Sequence, residues 1–98
     1  MPGFVTTRLG TLLMCDAMRA YEQGVASSED VYTAMKLGYN HPMGPLELAD
    51  RVGLDTVLFI LDDLRDAYGE AFAPPALLRE MVAEGKLGRK SGAGFYAY

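Results

Sequence analysis

Ninety-eight residues, half of them apolar and a tenth aromatic, suffice for one domain with a single modest core and exclude a disordered polar segment. Nine basic against 13 acidic side chains leave a net charge of −4, and no basic stripe interleaved with aromatics offsets it, so nucleic acid is not an expected partner. The aliphatic runs Leu12 to Cys15 and Val57 to Leu61 fall far short of the roughly 18 residues of a membrane span, and the first residues do not read as a leader. With one cysteine and no internal disulfide, a cytoplasmic, reducing location without membrane contact is expected.

Gly, Pro and capping residues divide the chain into about five helices with short connections, an all-α single domain over residues 1–98. The first helix is predicted from near Thr6 to Gln23, with Gly24 as a left-handed stop. Its apolar residues, from Leu9, Leu12 and Leu13 through Met18 to Tyr21, occupy more than one face. One side is therefore expected to serve the core and another a second partner. The second helix opens at Ser27 with Asp30 three residues on, turns Val31, Ala34 and Met35 inward, and stops before Gly38. Pro45 suits the first position of the third, whose Leu48 and Val52 are expected to face inward until Gly53.

Asp55 is the predicted N-cap of the fourth helix, with Val57, Leu58, Ile60, Leu61, Leu64 and Tyr68 as a buried stripe ending at Gly69. Asp62, Asp63, Arg65 and Asp66 form its wet face. A fifth helix after Pro74-Pro75 carries Leu77, Leu78, Met81 and Val82 and stops at Gly85. The remaining Gly-rich segment reads as an irregular tail pinned by its aromatics, Phe95, Tyr96 and Tyr98.

Few residues suggest chemistry by themselves. Gly92-Ala93-Gly94 lacks the flanking strand and helix of a dinucleotide fingerprint, and Gly85 to Ser91 has the wrong spacing for a phosphate loop. One histidine, His41, gives little for a metal site or a triad, and packing in its loop is the better reading. Cys15, within the apolar helix, reads as a small buried hydrophobe. The carboxylates Glu47, Asp50, Asp62, Asp63 and Asp66 are expected on solvated faces or near helix starts, and Lys86, Arg89 and Lys90 form the one basic cluster, able to meet a phosphate or to serve as surface charge.

The motifs are more specific. His41-Pro42-Met43-Gly44-Pro45-Leu46-Glu47-Leu48-Ala49-Asp50, Gly53-Leu54-Asp55-Thr56 and Gly88-Arg89-Lys90-Ser91-Gly92-Ala93-Gly94-Phe95-Tyr96 follow Pro2-Gly3-Phe4-Val5 and Arg8-Leu9 in order. Together they resemble the C-terminal helical domain of the 3-hydroxyacyl-CoA dehydrogenase family, of the 3-hydroxybutyryl-CoA type, over essentially the whole chain.

The resemblance implies an all-α fold like the C-terminal domain of 6-phosphogluconate dehydrogenase, and an oxidoreductase of fatty-acid metabolism. In the family, a preceding dinucleotide-binding domain holds NAD and supplies a His-Glu pair. Neither is encoded in these residues, so no complete catalytic set, bound cofactor or turnover is expected of this chain alone. The family's C-terminal domain closes one wall of the acyl-CoA cleft and forms the dimer interface, which implies a homodimer, or else a separately encoded NAD-binding subunit covering the apolar surface. An asparagine beside the reacting oxygen in the family corresponds here to Thr7, whose hydroxyl is shorter and cannot donate and accept through separate atoms. Thr7, Thr11 and Met43 are the residues expected nearest the acyl group. The alternative is a stand-alone, catalytically inactive dimerisation module derived from the family.

Overall fold

Local chemistry sets where each helix begins and ends in the computed structural model, which describes residues 2–98, with side chains from Val5 onward. Met1 and the side chains of Pro2, Gly3 and Phe4, which belong to the first motif, lie outside the described residues. Helix α1 spans Pro2–Glu22 and so opens earlier than predicted, because proline is pre-organised for a helix start. It closes as expected: Gly24 has φ 73°, its N–H donates to the Tyr21 carbonyl (3.1 Å), and the Val25 N–H donates to that of Ala20 (2.9 Å).

Helix α2 (Ser28–Tyr39) begins where predicted, with the Asp30 N–H donating to Ser27 Oγ at 3.1 Å. It does not stop before Gly38. The helix runs through that glycine to Asn40, which takes the left-handed conformation at φ 55°; asparagine tolerates it nearly as glycine does. Val31 is buried as expected, whereas Ala34 is exposed and Met35 half-buried.

The largest correction concerns α3 (Pro45–Val52). Pro45 opens it after Gly44 as predicted, but the inward residues are Leu46, Ala49 and Asp50, each fully buried, while Leu48 and Val52 remain 36% and 40% exposed. An apolar count misses this face because one of its members is a carboxylate whose partners lie 45 to 48 residues further on.

Helix α4 (Leu54–Tyr68) starts one residue before the predicted cap. Leu54 is fully buried and its N–H donates to the Leu87 carbonyl at 3.0 Å, so Gly53 takes the cap position and Asp55 falls in the first turn. Val57, Leu61 and Leu64 are buried as expected and Leu58 and Ile60 partly so, but Tyr68 is 48% exposed and carries the Arg8 guanidinium over its ring at 4.5 Å. A 3-10 turn at Glu70–Phe72 buries Phe72, and α5 (Ala76–Ala83) buries Leu78 and Met81. In the tail, a second 3-10 turn, Arg89–Ser91, is followed by two isolated bridges, Gly88 to Ala93 and Ala93 to Ala97.

Helix α1 packs against all four other helices. Its Met14, Cys15 and Met18 meet Leu46 and Ala49 of α3, Val57 and Leu61 of α4 and Leu78 of α5 in one core. Each fully buried large side chain contributes roughly 1.5–3 kcal/mol. Arg19 ties α1 to the segment before α5, donating to the Ala71 (2.8 Å) and Ala73 (3.0 Å) carbonyls. Among the described residues, no helix is long and apolar enough to cross a membrane.

Candidate functional site

Because α3 turns Leu46 and Ala49 into the core, Leu48 and Val52 are left facing the N-terminal half of α1 across an open groove. Gly10 keeps its floor low. A Cβ placed there would touch nothing within 4 Å, so the glycine, which costs a helix roughly 0.5–1 kcal/mol, leaves space where a side chain would fill it.

The groove has two adjoining parts that share Gly10, Met14 and Leu48. One, of about 280 Å³, is bordered by Thr6, Thr7, Thr11, Val52 and Ile60. The other, of about 580 Å³, is bordered by Leu13, His41, Pro42, Met43, Pro45 and Arg51. The three residues singled out from the sequence thus fall on two adjoining hollows, Thr7 and Thr11 in one and Met43 in the other. Thr11 is buried, whereas Thr7 is exposed. The lining is mostly apolar and includes no carboxylate.

The opposite face of α3 is closed. Asp50 accepts hydrogen bonds from the Phe95 N–H (2.9 Å), the Tyr96 N–H (3.0 Å) and the Tyr98 hydroxyl (2.7 Å). This corrects its expected place on a solvated face: three donors replace the water that burial removes. The approach requires glycine, since a Cβ on Gly94 would meet the Asp50 carboxylate and one on Gly88 (φ 98°) would lie 2.7 Å from Asp50 Cα. These glycines therefore pack the tail against α3 instead of opening onto a phosphate, and the residues present do not fit a dinucleotide. Burial, and then the bond to Asp50, raises the Tyr98 phenol above its ordinary range. Tyr96, whose hydroxyl donates to the Ser28 carbonyl at 2.8 Å, is pushed up to about 12 by burial and by the nearby carboxylates Glu29, Glu47 and Asp50.

The basic cluster does not converge. Lys90 pairs with Asp55 at 2.6 Å, and its ammonium holds that carboxyl below the usual range; Lys86 lies 3.7 Å from Glu84, and Arg89 stands over the Tyr98 ring. Cys15 is fully buried, its S–H donates to the Ala73 carbonyl at 3.6 Å, and burial pushes the thiol up, which disfavours the nucleophilic thiolate. Among the described residues, no three His, Cys, Asp or Glu side chains are grouped to hold a metal ion. The sequence reading missed Asp50, whose four-residue step from Leu46 was the available signal, and it missed that His41 and Arg51 border the groove.

Residues 3–98 match the family described as 3-hydroxyacyl-CoA dehydrogenase, C-terminal domain. A probable 3-hydroxyacyl-CoA dehydrogenase of Caenorhabditis elegans is 54% identical over 99% of this chain and 32% of its own length, and the mitochondrial hydroxyacyl-coenzyme A dehydrogenase of Homo sapiens is 50% identical over 99% and 32%. Among solved structures, the (S)-3-hydroxybutyryl-CoA dehydrogenase PaaH1 of Ralstonia eutropha superposes with a TM-score of 0.93 at 45% identity, covering all of this chain and 35% of that one. The chain spans about a third of the length of these relatives.

Proposed function

Because the chain belongs to the 3-hydroxyacyl-CoA dehydrogenase C-terminal domain family, we propose that it forms the substrate-side wall and dimer interface of an NAD-dependent enzyme interconverting 3-hydroxyacyl-CoA and 3-oxoacyl-CoA in fatty-acid metabolism. The observation that supports this reading is the α1/α3 groove, where Thr7, Thr11 and Met43, the residues assigned to the acyl group, border two adjoining, mostly apolar hollows that share Gly10, Met14 and Leu48. In this reading the hydride acceptor, NAD, and the base that takes the hydroxyl proton belong to a dinucleotide-binding domain. This chain's residues position the substrate: Leu48, Val52 and Met14 exclude water from one side of the acyl group, and the Thr7 hydroxyl offers a hydrogen bond to the reacting oxygen.

Dimerisation is assigned to α1, whose Val5, Leu9 and Leu13 recur every four residues and are 53%, 63% and 37% exposed, an apolar row suited to a second copy of the chain. A buried, unpaired Cys15 supports a reducing compartment such as the cytoplasm.

The test joins this chain to the dinucleotide-binding domain of the Ralstonia eutropha relative and follows NADH oxidation with acetoacetyl-CoA. Activity absent from either part alone is expected. A folded but inactive assembly, together with self-association of the chain, would favour the second reading, a stand-alone dimerisation module. The observation favouring that reading is Thr7, whose short hydroxyl stands where the family's asparagine is expected. Thr7→Asn in an active assembly is expected to raise kcat; an unchanged rate would remove the assigned role of this position.

A further inference from the structure

The Met43 part of the groove joins an apolar trough to a polar rim. Its wall is made of Gly10, Leu13, Met14, Pro42, Pro45 and Leu48, and beside these stand Arg51 and His41. Among the described residues, no hydrogen bond or ion pair of Arg51 with another side chain is present, although five other basic side chains each hold an acidic partner. Glu47, one helical turn before Arg51, does not reach it within ion-pair distance. His41 is half-buried, its main-chain N–H is spent on the Met35 carbonyl at 3.2 Å, and its ring tilts against Tyr39 at 6.0 Å, leaving an imidazole at the same rim. At about 580 Å³ this part lies within the range of roughly 300–1,000 Å³ usual for small-molecule sites, which pair an apolar lining with a few polar groups.

We propose that this part of the groove is a subsite for an anion carried on an apolar chain, with Arg51 as the residue that receives a carboxylate or phosphate group and His41 as a second donor beside it. The inference rests on the acyl-CoA reading of the groove and adds a charge to it. A guanidinium offers a planar fork of N–H donors to such an oxyanion, and apolar walls on one side strengthen the pair relative to open solvent. The chemistry has two sources: a carboxylate at the far end of the acyl chain, or a phosphate of the coenzyme. Arg51 also stands in the last turn of α3, where any cation complements the helix dipole, so the test must separate recognition from that generic effect.

The experiment titrates the chain, joined to the dinucleotide-binding domain of the Ralstonia eutropha relative, with three probes by calorimetry: hexanoyl-CoA, the mono-CoA thioester of adipic acid, which has the same chain length and a terminal carboxylate, and CoA alone. The titrations are repeated with Arg51→Gln and Arg51→Lys. A preference of about ten-fold for the carboxylated thioester, lost in Arg51→Gln and partly kept in Arg51→Lys, is expected if the anion is the acyl terminus. An equal, similar loss for all three probes in Arg51→Gln supports the site and assigns the anion to the coenzyme phosphate. Unchanged affinities in Arg51→Gln, with hexanoyl-CoA still bound, would overturn the anion subsite while leaving the acyl groove intact. No binding of any probe by the folded wild-type assembly would overturn both. Denaturation curves of the two variants, expected to match wild type because Arg51 is exposed, keep a folding defect from being read as lost recognition.

Discussion

Helix α3 borders two regions built on opposite rules. On one face, Gly88 and Gly94 leave no room for an added carbon beside Asp50, and both Asp50 carboxylate oxygens accept hydrogen bonds from the tail. On the other, Gly10 leaves a groove, leucine and valine side chains stay partly exposed, and Arg51 stands unpaired among the described residues. Glycine serves both, by allowing contact in the first and by maintaining a gap in the second. The fold is secured on the closed side, while the open side keeps a groove.

Substitutions should break this contrast in opposite directions. Gly88→Ala, at φ 98° with Asp50 backbone in its path, is expected to cost about 3 kcal/mol or more in chemical denaturation. Asp50→Ala should cost about 3 kcal/mol by the same measurement, because two amides and a phenol lose a charged acceptor; Asp50→Asn should recover part of it. Gly10→Ala should do the reverse, stabilising the chain by roughly 0.5–1 kcal/mol, since its Cβ meets nothing.

A smaller effect is expected with pH. Tyr96 and Tyr98 have raised phenol pKa values when folded, so above pH about 10 the unfolded chain loses phenolic protons that the folded chain retains. The folded state then binds more protons, and stability should fall as pH rises from about 10 toward the Tyr96 value of about 12. Solvent at these half-exposed rings keeps the change small. Melting curves across this range, with a shallower slope in Tyr98→Phe, check the assignment.

The helices were legible because their signals are local: Ser27 and Asp30, Gly24, and Pro45 each act within a turn of their own position. The end of α2 was not, because Gly38 and Asn40 offer competing stops and only the fold selects the second. The inward face of α3 was hidden for a different reason. A carboxylate is an unfavourable core residue until donors from residues 95–98 reach it, and that closure spans half the chain. For the groove, the resemblance pointed to Thr7, Thr11 and Met43, but the two adjoining hollows they border, and the addition of Arg51 and His41 to one of them, depend on how α1 crosses α3.

The division of α3 into a structural face and a functional face is tested most directly by Leu48→Trp in the assembly with a dinucleotide-binding domain. Leu48 borders both parts of the groove and is 36% exposed, so a larger ring should fill the groove without entering the core. The expected result is an unfolding free energy within about 0.5 kcal/mol of wild type and acetoacetyl-CoA reduction at least about ten-fold lower. Full turnover by the Leu48→Trp enzyme would contradict the assignment of this groove to the substrate.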